Sequence, residues 1–341
     1  MPSSVALADP QPVLAGAPHP HARRLQRLQR WRRATQLGFF ALFLAAPALD
    51  LLRFDLHTAQ LWLLGAPWHL GIDAFLAGQA SATDAALGIV LRGMLPALLL
   101  VGGFLAVASR FGRVYCGWLC PHFSLVEGLN RLMHRASGRH SLWDAPPSAA
   151  ARAATPPQRR WWPVFGLAAL GLAALWAVTL LTYLLPPAEV WRGLLQGSLT
   201  PNQARFIAIA TGVFTLEFTL ARHLFCRFGC AVGLFQSLVW MANPRALVMA
   251  FDRQRAAACR GCSTADSPAG DACETACPMR LRPRQVKRLM FSCTQCGRCA
   301  TACAESHDQR TPQPNLQWTV GADALRETLR QRAQALREEP R

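Results

Sequence analysis

Apolar runs of membrane-spanning length constrain this 341-residue chain more than any other feature. A bilayer core about 30 Å thick demands roughly 20 mostly apolar residues per helix and offers no water to stray backbone groups. Four such runs occur, at about 36–52, 87–109, 163–185 and 204–221. The first is short and ends at Asp50, and the fourth carries Glu217. Pro163 sits at the first turn of its run, directly after Trp161 and Trp162, an interfacial pair. Pro96 lies inside the second run and predicts a kink there, tolerable if a neighbour takes up the freed carbonyl. The runs predict an α-helical membrane protein with four transmembrane helices, which excludes a simple soluble enzyme.

Charge then predicts orientation, because Arg and Lys collect in cytoplasmic loops. The formal net charge is +17, and the basic residues are Arg apart from Lys287. Arg23, Arg24, Arg27, Arg30, Arg32 and Arg33 precede the first run, and a further Arg-rich stretch joins the second to the third. The segment after Ala221 is basic as well, whereas the two remaining connections are poor in positive charge. Both termini are therefore expected in the cytoplasm, and the charge needs no nucleic-acid partner. A rival reading makes Arg32-Arg33 and the following apolar run a cleaved export signal. Residues 1–35 read as a disordered Pro/Ala-rich tip followed by a basic segment, in which Leu25, Leu28 and Trp31 suit anionic headgroups.

Twelve cysteines carry the chemistry. Cys293, Cys296, Cys299 and Cys303 follow the x2, x2, x3 spacing that wraps a [4Fe–4S] cluster: three ligands serve one cluster and the fourth its neighbour. Upstream stand Cys259, Cys262, Cys273 and Cys277-Pro278, with a ten-residue gap (263–272) where two residues are usual. Crossed ligation predicts one cluster on Cys259, Cys262, Cys273 and Cys303 and a second on Cys277, Cys293, Cys296 and Cys299. Structural zinc also takes four cysteines, but commonly from two separated pairs. The segment 251–310 is thus expected to be a bacterial-ferredoxin-like 2[4Fe–4S] domain, cytoplasmic, followed by a helical tail over 311–341.

The other four cysteines form two similar motifs 110 residues apart. Arg113-Val-Tyr-Cys116-Gly-Trp-Leu-Cys120 follows the second apolar run, and His223-Leu-Phe-Cys226-Arg-Phe-Gly-Cys230 follows the fourth. The membrane domain, 36–250, therefore reads as two hairpin repeats, and repeat interfaces are where sites are built. Cys116, Cys120, Cys226 and Cys230 at the inner membrane edge could hold copper, zinc or a further cluster, or act as redox dithiols. Packing alone is the plain alternative.

These motifs resemble the membrane-bound polyferredoxin family, which includes the quinol-dehydrogenase membrane component of periplasmic nitrate reduction and the iron–sulfur accessory protein of cbb-type cytochrome oxidase. The resemblance covers about 36–307 and rests on Gly112 to Pro121, on Cys226 and Cys230 followed by Phe235-Gln236-Ser237, and on the two ferredoxin-type sets. Ala231 and Ala304 stand where the family often has proline. It implies a multi-pass protein of the bacterial inner membrane that relays electrons through two [4Fe–4S] clusters to or from a respiratory or metalloenzyme-maturation partner, with quinol a candidate reductant. A maturation factor that reduces or holds copper at the membrane-edge cysteines is the alternative, and a redox sensor a third reading. No glycine-rich dinucleotide motif is present, so the chain is expected to be an electron carrier or a component of a larger oxidoreductase. Lesser candidates are Glu217 as an intramembrane acid, His57 and His69 with Asp55 and Asp73 as a loop site, and His122 and His223 beside the cysteine pairs.

Overall fold

A computed structural model describes residues 20–144, 149–154, 156–259, 262, 272–306 and 314–338. The disorder expected at the N-terminal tip lies outside the described residues up to position 19, as does the inserted loop at 263–271.

The chain enters on α1 (Pro20–Ala45), whose first half is basic and second half apolar. The expected first span, 36–52, departs from this in its boundary. The helix stops at Ala45, and Leu52 already belongs to a strand. Pro47 explains the stop, since it lacks an amide proton and disfavours helix in the residue before it. Strands β1 (Leu52–Asp55), β2 (Gln60–Leu63) and β3 (Ala66–Trp68) follow as an antiparallel meander. Arg53 lies 4.9 Å above the Trp62 ring and pairs with Asp50 and Asp55. Backbone amides of Phe54 and Leu56 donate to Tyr183 and Leu184, stitching the meander to the end of a membrane helix.

Among the described residues, three helices are long and apolar enough to cross a bilayer: α2 (Ala82–Phe111), then Trp161–Thr182 and Pro201–Ala221. Leu98, Leu99 and Leu100 on α2 are 66–76% exposed, an apolar surface that suits lipid and not water. Pro96 does not act where it stands. The helix widens to π-type over Ile89–Met94, just before it. The carbonyl that Pro96 leaves free, that of Arg92, accepts the Trp68 indole N–H at 2.9 Å. Between the first two spans lie α3 (Val114–Trp118) and α4 (Pro121–Ser137).

We number the second span α5 (Trp161–Thr182), the short helix after it α6 (Pro187–Gln196), and the third span α7 (Pro201–Ala221). Leu125, Leu129 and Met133 of α4 pack with Phe165, Ala169, Ala173 and Trp176 of α5 and Phe218 of α7 in one apolar core. Phe40 and Phe43 of α1 stack on Trp176, and the Tyr183 hydroxyl donates to the Phe43 carbonyl. The apolar half of α1 therefore runs alongside α5.

Helix α8 (Ala231–Ala242) then leads into β4 (Leu247–Phe251). The C-terminal region holds α9 (Arg298–Glu305), β5 (Leu316–Val320) and α10 (Gly321–Glu338). Strands β4 and β5 pair antiparallel with Met249 opposite Trp318. This sheet clasps both ends of the segment 251–310, and the sequence reading had not anticipated it.

Candidate metal centres

Each membrane-edge cysteine pair is placed by the same local device. Helix α2 ends at Gly112 with φ 64°, and α7 ends at Arg222 with φ 41°, so both chains reverse at positions 110 residues apart. Cys120 and Cys230, again 110 apart, each cap the next helix, α4 and α8. Gly112 also leaves room for Trp240, whose ring carbons would stand 3.2 Å from any Cβ there.

The cysteines fall into three neighbourhoods, judged by which thiolates oppose one another's ionisation. Cys277, Cys293, Cys296 and Cys299 form one. Cys259, Cys262, Cys273 and Cys303 form another. Cys116, Cys120, Cys226 and Cys230 form the third. None of the twelve is joined in a disulfide. Burial pushes Cys293 and Cys273 up to about 12 and Cys277 up to about 11, so these thiols would stay protonated without a metal. A bound metal supplies the missing driving force, because coordination deprotonates a thiol outright.

The donor sets fit sulfur-ligated clusters. Cys277 Sγ accepts the Leu281 amide at 3.4 Å, and Cys293 accepts the amide of Gln295. Cys303 accepts amides from Asn315 and Leu316, and Cys259 accepts the Asn315 side-chain amide at 3.2 Å. N–H donors on the sulfurs are one of the protein's means of tuning cluster potential. Gln295 and Gly297 adopt positive φ in the turn that carries Cys296. At Gly297 a Cβ would also meet the Trp318 ring at 2.4 Å, so only glycine serves there. Among the described residues, no three His, Cys, Asp or Glu side chains converge in the manner that holds a single metal ion.

The C-terminal cysteines lie directly against the membrane-edge set. Cys293, Cys120 and Cys226 pack on one apolar core built from Phe123, Trp240, Val248, Cys277, Met279 and Met290. The Trp118 indole donates to the Gln295 carbonyl at 3.1 Å, and the Ser237 hydroxyl to the Phe291 carbonyl at 2.7 Å. Gly117 is pressed so closely that an added Cβ would stand 2.2 Å from the Thr294 carbonyl oxygen.

Several residues matter more than their sequence context suggested. Arg32 is buried, donating to the Gly117 carbonyl and pairing with buried Glu127, which also receives Gln36 and Arg298. Arg113 is 1% exposed and donates to Ser237 Oγ and to the Cys226 carbonyl. Glu217 and His122, separate candidates in the sequence, meet at 3.0 Å, and His122 Nδ1 lies 3.5 Å from Cys226 Sγ. The π-helical turn at Glu217–Ala221 aims that carboxylate. His57 instead pairs with Glu189 at 3.1 Å, and the His69 carbonyl accepts from Arg92. His223 is buried, and among the described residues its Nδ1 has no hydrogen-bond partner.

Comparison with known proteins agrees with cluster chemistry. A family model described as "4Fe-4S binding domain" matches residues 94–140, a segment containing Cys116 and Cys120. The "Putative electron transport protein YccM" of Escherichia coli (strain K12) is 23% identical over 292 residues, covering 80% of this chain and 72% of that protein. No solved structure matches. The chain carries an iron–sulfur binding segment next to helices suited to a membrane.

Proposed function

We propose that this protein is a membrane-anchored electron-transfer protein that relays electrons through two [4Fe–4S] clusters to or from a respiratory partner. The observation that carries the reading is the contact between the C-terminal cysteine sets and the membrane-edge turns, in which Cys293 shares a core with Cys120 and Cys226. Cys299 of one ferredoxin-type set also neighbours Cys273 of the other. Cys259, Cys262, Cys273 and Cys303 would hold the outer cluster, and Cys277, Cys293, Cys296 and Cys299 the inner one. When bound, such clusters accept and release single electrons. The chain's own contribution is burial, N–H donors to sulfur and fixed spacing. The relationship to an Escherichia coli protein named for electron transport supports the same assignment.

The membrane part is read as two hairpin repeats, supported by the matched reversals at Gly112 and Arg222 and the matched caps at Cys120 and Cys230. The apolar half of α1 serves as the fourth crossing, since Phe40 and Phe43 keep it beside α5. The Arg-rich connections support reading the cysteine-bearing side as the cytoplasmic face of a bacterial inner membrane.

The test is anaerobic purification of the full chain, with EPR during stepwise chemical reduction. Cys259→Ser with Cys303→Ser should remove one cubane signal, and Cys277→Ser with Cys299→Ser the other. A full complement of zinc with no reducible iron would sink the relay.

A further inference from the structure

Arg113 presents an unbalanced charge. Its guanidinium is buried, and among the described residues no carboxylate pairs with it. Two of its nitrogens have neutral partners, Ser237 Oγ and the Cys226 carbonyl, while Nη2 is buried without any. The ionisable groups around it are Cys116, Cys230, Cys226 and Cys293. A buried cation needs a counter-charge. The cysteine side chains that surround Arg113 are the groups placed to supply one.

The surroundings suit such a centre. The Gln236 side-chain amide donates to Cys116 Sγ at 3.4 Å, and the amides of His122 and Phe123 donate to Cys120. Gly233 admits the guanidinium, since a Cβ there would stand 3.0 Å from Arg113 Nη1. The four thiols do not converge as ligands of one ion. A cubane is bulkier and holds its thiolates further apart. The 4Fe-4S family match covers the segment that bears Cys116 and Cys120.

We infer that Cys116, Cys120, Cys226 and Cys230 bind a third iron–sulfur cluster of the cubane class, with Arg113 as the buried residue that balances its negative charge. This deepens the relay reading and rests on it, because the third cluster would be the membrane-side end of the same path. Its neighbour would be the cluster that includes Cys293.

Iron and acid-labile sulfide in the anaerobically purified full chain decide the matter. About twelve of each per chain are expected, for three cubane clusters. Cys116→Ser with Cys230→Ser should leave about eight, and that retention shows that the variant folds. Arg113→Gln should lower the potential of this cluster more than that of the cluster on Cys293, by removing a cation that favours the reduced state, and Arg113→Lys should restore it. About eight iron in both wild type and double variant overturns the third cluster and leaves the relay standing. One copper or zinc per chain that disappears in the double variant overturns it too. Wild type without iron sinks the relay itself. Should the double variant lose all its iron, the spin count of fully reduced wild type decides, three spins supporting the proposal and two overturning it.

Discussion

At the scale of single residues, Gly117 shows why a glycine inside a cysteine motif can be obligatory. An added Cβ would press 2.2 Å from the Thr294 carbonyl oxygen, a backbone atom with little freedom to yield. Gly117→Ala should therefore prise the 292–297 turn from the membrane-edge turn, at a cost of about 1–3 kcal/mol typical of overpacking. Thermal unfolding in detergent would register it, together with slower electron exchange between the centres. A variant as stable as wild type would mean that the two turns are not in contact. His223 makes a pH prediction. Burial holds it down to about 4, opposed by Asp144 and assisted by Arg280, Arg222 and Arg227. The unfolded chain takes up this proton near pH 6.5, whereas the folded chain waits until about 4. Stability should fall as pH drops through that window, and His223→Gln should flatten the fall, as read from melting temperatures at pH 7 and 4.5. The sequence displayed the cysteines, because spacing alone encodes their ligand geometry. Arg113 and Arg32 were illegible among so many arginines. Their role depends on burial and on partners more than 80 residues away, and nothing local distinguishes them.

At the scale of elements, the helices α2, α5 and α7 were legible because each is a long, predominantly apolar run. The end of the first was not. Apolarity continues past Pro47, but the backbone cannot, and the following residues pair as strands. The kink expected at Pro96 became a π-helical stretch relieved by Trp68, a tertiary contact invisible to local pattern. The β4–β5 pairing was missed for a similar reason, since its partners are separated by the whole cysteine-rich segment. Elements are joined most tightly at Glu127 of α4, which gathers Arg32 and Gln36 of α1 and Arg298 of α9. Glu127→Ala would leave Arg32 buried without its counter-charge, and losing one partner of a buried pair costs about 3–5 kcal/mol. We expect a matching fall in melting temperature and easier proteolysis between α1 and α4. An unchanged melt would show that Arg32 is solvated and the three-element junction absent.

At the scale of the whole molecule, the parts form one layout. Apolar helices supply a body suited to a membrane, and the reversals at Gly112 and Arg222 bring two cysteine pairs together at one end of it. The C-terminal cysteine sets dock on that end through Gly117, Trp118 and Ser237. A chain built only for anchorage would not need its cysteine sets pressed against its membrane turns. The relay stands on the nature of the centres in the eight C-terminal cysteines. Mössbauer spectroscopy of the full chain enriched in 57Fe tests it most directly. A relay requires that the iron resides in valence-delocalised [4Fe–4S] cubanes, that chemical reduction shifts their spectra, and that Cys277→Ser with Cys299→Ser removes one such component. Isolated tetrathiolate iron sites in place of cubanes, or the same spectrum before and after the substitutions, would contradict it.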